Sequence, residues 1–205
     1  MKNLLTFFLL TLLLCTFFYS CNADHGNYSF SYNGKTYEVV KERRTWTEAA
    51  AYATKKGARL AEIKDSGEQN IIYYAFAHDA DVSPDYTHVK DGGGIGYFWI
   101  GATDKNHEGT WIWDGANTGK GQNFWKGQGA NGKGDGTAVN NAYVNWGGAY
   151  TKKYNEPDNY GGKQNAAAIG LADWPIGQGN LGHMGEWNDI DENNRLYFVI
   201  EYNNK

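Results

Sequence analysis

The sequence predicts an α+β domain in which two helices flank an antiparallel β-sheet and a long irregular loop region fills much of the second half. Three observations predict it: an alternating stretch broken by Asn33-Gly34, two successive helix-capping patterns, and short aromatic strands set among Gly- and Asn-rich segments. In order along the chain, Ser29–Val40 alternates apolar and polar residues around Asn33-Gly34, a pair that tolerates positive φ and so predicts a β-hairpin. Thr45 with Glu48 forms a capping box, Gly57 supplies the stop, and Trp46, Ala49, Ala50 and Ala53 share one face, which predicts a helix of about three turns. Leu60–Ile63 reads as a short strand, and Ser66 with Gln69 repeats the capping pattern before a second helix through Ile71, Ile72 and Phe76. Beyond the glycine-rich stretch 91–96, Tyr97–Gly101 and Thr110–Trp113 are aromatic strand candidates, joined later by 166–171, 185–190 and 196–202. The span 115–155 is too long for a simple connection and predicts a functional loop, interrupted by Phe124-Trp125 and Tyr143–Trp146.

Composition narrows the classes. Aromatics make up 16% of 205 residues, enough bulky surface to fill one core, and 27 glycines supply irregular backbone. A net charge of -4 without a Lys/Arg stripe excludes the electrostatic footprint of a nucleic-acid binder. Lys2 followed by the apolar run Leu4–Phe18 reads as an export signal, shorter than the roughly 20 residues of a spanning helix. Cys21, preceded by Ser20, resembles the lipid-modified cysteine of bacterial lipoproteins, and cleavage after Ala23 with free secretion is the alternative. The expectation is an exported protein, anchored at the cell envelope or surface and meeting the membrane through this lipid alone. Cys15 and Cys21 are the only cysteines, so the mature domain has no internal disulfide and must be stabilised by size and aromatic burial. For an exported domain this pattern points to a bacterial source or to stabilisation from elsewhere. The five histidines lack zinc-like spacing, and no Ser-His-Asp or cysteine nucleophile pattern stands out, so the reading is a binding protein and not an enzyme.

Several separated signatures, in order, resemble the C-type lectin-like family over nearly the whole exported chain. They are Trp46-Thr47-Glu48-Ala49 leading to Gly57–Ala61, Trp99-Ile100-Gly101, Gly109–Gly115, Val144-Asn145-Trp146, Glu156-Pro157-Asp158 and Trp187-Asn188-Asp189. The implied organisation is a signal peptide at 1–20, a short linker at 21–27 and a C-type lectin-like domain at 28–205. By spacing, the family's four bridging cysteines correspond to Ala53, Ala166, Glu192 and Ile200, so both bridges are missing together. The resemblance implies a calcium ion held by Glu156, Asp158, Gln164, Asn188 and Asp189, all oxygen donors of the kind calcium takes, and a cis peptide before Pro157. It implies a glycan or glycoconjugate partner, bound by Glu156, Asp158, Gln164 and Asn188, with Trp125, Tyr143, Trp146 and Tyr150 of the enlarged loop stacking on sugar faces. Mannose-type sites resemble Glu-Pro-Asn and galactose-type sites Gln-Pro-Asp, whereas this chain has Glu-Pro-Asp, with Gln164 where the family often has glutamate. Asp104 and Glu108, with Asn159 and Asn165, match an accessory calcium site that is poor in charge here. A calcium-independent adhesin or protein-binding domain is the second reading.

Overall fold

A computed structural model describes residues 26–202. Strand β1 (Tyr28–Tyr32) pairs with β2 (Lys35–Arg44) across Asn33 and Gly34, at φ 47° and 77°, the two-residue turn whose positive φ values match the strand twist. Helix α1 (Trp46–Lys55) has the expected capping box: Glu48 N donates to Thr45 Oγ1 at 3.2 Å and Thr45 N donates to Glu48 Oε2 at 3.1 Å. Its buried face is Trp46, Ala49, Ala50 and Ala53. After β3 (Ala58–Leu60), helix α2 (Ser66–Tyr74) starts one residue differently from the expectation, capped by Asp65 and not Ser66. Asp65 Oδ1 accepts from Glu68 N at 2.8 Å, and a carboxylate at that position also meets the positive end of the helix. The helix then widens into a π-helical turn at Ala75–Asp79.

The remaining strands are β4 (Tyr97–Thr103), β5 (Thr110–Trp113), β6 (Gln122–Lys126), β7 (Thr137–Ala138), β8 (Gln164–Gly170), β9 (Trp187–Asp191) and β10 (Leu196–Tyr202). Among the described residues the sheet runs β1-β2-β10-β4-β5-β6-β7, with β3 on β10 and the β8–β9 pair on β4. The sheet is mixed and not purely antiparallel, because β10 and β4 run parallel where Phe198 faces Trp99. The chain reaches β4 by crossing over through both helices, and β10 then inserts between β2 and β4, so it opposes one and follows the other.

β4 is buried along its whole length because both of its faces are covered. Phe98, Ile100 and Ala102 join Trp111, Trp113, Phe124, Trp146 and Trp187 on one side, while Tyr97 and Trp99 join Trp46, Leu60, Phe198 and Ile200 on the other. The positions that correspond to family cysteines are filled by packing: Ala53, Ala166 and Ile200 are fully buried in the second cluster. At the fourth, the Glu192 carbonyl accepts from Trp46 N at 3.0 Å and ties the α1 start to the β9–β10 turn. The enlarged loop is not irregular throughout. Its middle folds as β6 and β7 onto the β5 edge, because Phe124 and Trp125 have more to gain in the core than in water.

Candidate functional site

Three segments converge on one cleft. β9 supplies Asn188 and Asp189, the first residue of β8 supplies Gln164, and the loop before β8 supplies Glu156 and Asp158 around a cis Glu156–Pro157 peptide. Asp189 holds that loop in place: its Oδ1 accepts from Asp158 N at 2.9 Å and its Oδ2 from Asn159 N at 2.8 Å. Asn159 takes φ 51°, a left-handed turn that lets its own side-chain oxygen accept from Gln164 N at 3.1 Å. Gln164 is buried, accepts from Tyr160 N through its oxygen and donates to the Asp91 carbonyl at 2.9 Å. Glu156 accepts from Trp174 Nε1 at 3.2 Å, and Asn188 Nδ2 donates to the Tyr97 hydroxyl at 2.9 Å. Gly147 passes close enough that a Cβ there would meet Glu156 Cγ and Trp174 at 2.8 Å, so only glycine lets the loop approach.

The outcome is a cleft of about 280 Å³ lined by Glu156, Asp158, Gln164, Asn188, Lys90 and Trp174, with Asp189 behind it. One ligand atom each from Glu156, Asp158 and Asp189 lies within 4.8 Å of the others, the one such carboxylate group among the described residues. Two buried oxygens of the set, Glu156 Oε2 and Asn188 Oδ1, have no hydrogen-bond partner. Burial raises the pKa values of Glu156 and Asp189 well above the ordinary carboxylate range, and mutual repulsion adds to it: Asp189 and Asp158 act on Glu156, and Asp158 and Asp104 on Asp189. Asp158, half-buried, is raised by burial as well. Among the described residues, the largest influences on Glu156 and Asp189 include no cation.

The donor set fits a hard divalent ion. All five side chains offer oxygen, three are carboxylates, and two buried oxygens lack partners among the described residues, a costly state that a cation would relieve.

The sequence matches the family described as the lectin C-type domain across residues 42–201. The chain belongs to the C-type lectin domain family. The hepatic lectin of Gallus gallus is 26% identical to this C-type lectin domain over 183 residues, 89% of this chain and 61% of the chicken protein. The C-type lectin domain family 4 member F of Mus musculus is 32% identical over 97 residues, 46% of this chain and 15% of the mouse protein. The chain therefore matches only part of the length of these relatives. In fold it is similar to the mouse scavenger receptor C-type lectin carbohydrate-recognition domain, with TM-score 0.52 and 20% identity over 86% of this chain and 96% of that one. It is also similar to the cow CD23 carbohydrate-recognition domain in the presence of a GlcNAc2Man3 oligosaccharide, with TM-score 0.53 and 17% identity over 86% and 94% of the two chains.

The aromatic residues expected at the site of this C-type lectin domain are placed elsewhere. Trp146 is fully buried, ringed by Trp111, Phe124, Trp125 and Trp187, and cannot stack on a sugar. Trp125 is buried with it. Tyr150 is exposed but, like Tyr143, lines a different cleft. Asp104 is buried and pushed up to about 7 by burial, with Glu108 and Glu192 adding to it; its Oδ2 accepts from Gly109 N at 2.9 Å and its Oδ1 has no partner. Glu108 accepts from Gln128, and Asn165 uses its backbone oxygen to accept from Thr103 Oγ1 at 2.6 Å. Asp91, Tyr97 and Trp174 are site residues that sequence reasoning did not find. The glycine-rich stretch beginning at Asp91 was the available signal for the first, and nothing local marks the other two. Cys21 and the expected export signal lie outside the described residues.

Proposed function

We propose that this domain is a calcium-dependent glycan-binding module in which Glu156, Asp158, Gln164, Asn188 and Asp189 hold one calcium ion and four of them meet a sugar. The observation that carries this reading is the pair of buried, unpartnered oxygens on Glu156 and Asn188 beside a carboxylate triad gathered within 4.8 Å. Calcium, when bound, supplies the positive charge that permits all three carboxylates to ionise and offers coordination places to two vicinal hydroxyls. Five side chains, the Asp189 carbonyl and two hydroxyls make about eight ligands, a number calcium accepts.

The side chains then decide which sugar fits. Glu156 and Asp158 face one hydroxyl as two acceptors, while Gln164 and Asn188 face the other as two amides, so neither hydroxyl finds the one-acceptor, one-donor partnership of the family's mannose and galactose patterns. Sugar affinity is low at this cleft as a result. Asp104, whose Oδ1 is buried without a partner, together with Glu108, Asn159 and Asn165 is the place for an accessory, weaker ion. Export with a lipid on Cys21 belongs to the same proposal; the named relatives come from animals, and they lend the bacterial part of that expectation no support.

The test is a glycan array probed in calcium and in chelator, with Glu156→Gln and Asp189→Asn as controls. Retained signal in calcium that disappears in chelator and in both variants supports the reading. Binding indifferent to all three sinks it in favour of a calcium-independent adhesin.

A further inference from the structure

A second cleft, about 520 Å³, lies between α2 and the segments 143–150 and 183–186. Its walls are Tyr73, Tyr143 and Tyr150, with His183 and Met184 at one side. Tyr150 is 85% exposed and Met184 60%, and the Tyr150 and His183 rings meet edge to face at 6.0 Å. We infer that this cleft is a second saccharide subsite, taking the neutral pyranose units of an oligosaccharide without help from calcium. The inference rests on the glycan-binding reading of the domain, though not on its metal.

Polar chemistry selects this occupant. Among the described residues, the hydroxyls of Tyr73, Tyr143 and Tyr150 and the Asn70 amide make no hydrogen bond, and Asn145 uses only its Nδ2, donating to the Gly185 carbonyl at 2.9 Å. Aromatic rings with free hydroxyls and free amides match a pyranose, which presents C–H faces to rings and hydroxyls to polar tips. An apolar peptide segment would strip water from those groups and replace none of the bonds. Among the described residues no Lys or Arg lines the cleft, and the one carboxylate that does is consumed: Glu186 accepts from Gly148 N at 3.0 Å, His183 N at 2.9 Å and Tyr150 N at 2.9 Å. His183 lies 3.4 Å from Asp173, so the described residues leave the cleft no free cation for an acidic sugar. The volume falls in the range of small-ligand sites.

The two clefts have no lining residue in common, but the same stretches of chain run from one to the other. Leu181 lines the calcium cleft and His183 and Met184 line this one, while the loop fixed by Glu186 at Gly148 and Tyr150 continues to Glu156. A chain of sugars, and not a single one, is therefore the occupant.

The experiment titrates the domain with monosaccharides and with neutral gluco-, manno- and galacto-oligosaccharides, in excess calcium and in chelator. It compares the native chain with Tyr150→Ala, an exposed position that leaves folding alone, and with Tyr73→Phe, which deletes one hydroxyl. The expected result is an oligosaccharide affinity at least about tenfold above that of the monosaccharide. Part of this binding persists in chelator, Tyr150→Ala removes the gain, and calcium affinity stays the same. An oligosaccharide advantage that survives both substitutions, or no advantage at all, overturns the subsite. Absence of calcium binding with a Tyr150-dependent oligosaccharide signal overturns the metal reading and leaves the subsite standing.

Discussion

Glu156 combines three properties: it is buried, it lies among like charges, and one of its oxygens has no partner. Glu156→Gln keeps the volume and the Trp174 contact while removing a charge. It is expected to weaken calcium by at least about tenfold and to raise the thermal midpoint of the calcium-free protein, since the remaining carboxylates lose a repelling neighbour. Calorimetric titration and a melt in chelator measure the two effects; a lower midpoint in chelator contradicts the electrostatic account. Trp174→Phe deletes the donor that orients Glu156 without touching the ligands, and is expected to cost about 10- to 100-fold in calcium affinity. Asp158→Asn returns one acceptor and one donor to the first hydroxyl. Sugar binding at saturating calcium should rise while calcium affinity falls, which paired sugar and metal titrations would separate. The charged members of this site were legible because carboxylates and amides in Glu-Pro-Asp and Trp-Asn-Asp carry their chemistry in their types. Tyr97 and Trp174 were not, because a hydrogen bond from a distant ring leaves no local pattern.

At the level of elements, local signals were reliable where local physics decides. The Asn33-Gly34 turn and the Thr45/Glu48 capping box formed as expected, because positive φ and unsatisfied helix donors are problems solved within a few residues. Thr45→Ala is expected to cost about 1 kcal/mol of stability, read as a lower urea midpoint with an unchanged slope. Signals failed where burial competes with position. Trp125 and Trp146 stand in a loop-like composition and invite a surface role, yet each joins a cluster of rings that only the folded sheet brings together. Helix α2 shows the smaller version of this error: Asp65 and Ser66 are both able caps, and the register was settled by where Glu68 had to go, accepting from Lys64 N at 2.7 Å and pairing with Lys35.

Across the whole molecule, a domain whose described residues include no cysteine keeps the architecture of its family by covering both faces of β4 and by clamping the 156–159 loop with Asp189. That design carries a pH signature. Glu156, Asp158 and Asp189 have folded pKa values raised above those of the unfolded chain. Between the two ranges the folded protein holds protons that the unfolded chain has released, so these groups make the calcium-free form less stable as pH rises through that window. Calcium needs them ionised, so its affinity grows over the same window. The calcium-induced gain in thermal midpoint is therefore expected to widen from about pH 5 to about pH 7.5, and a gain that is flat or shrinks speaks against carboxylate ligation. The most direct test of the central claim is a calorimetric calcium titration of the native chain beside Glu156→Gln at neutral pH. The account predicts saturable binding in the native protein that is sharply weakened in the variant; no binding to the native chain, or equal binding to both, contradicts it.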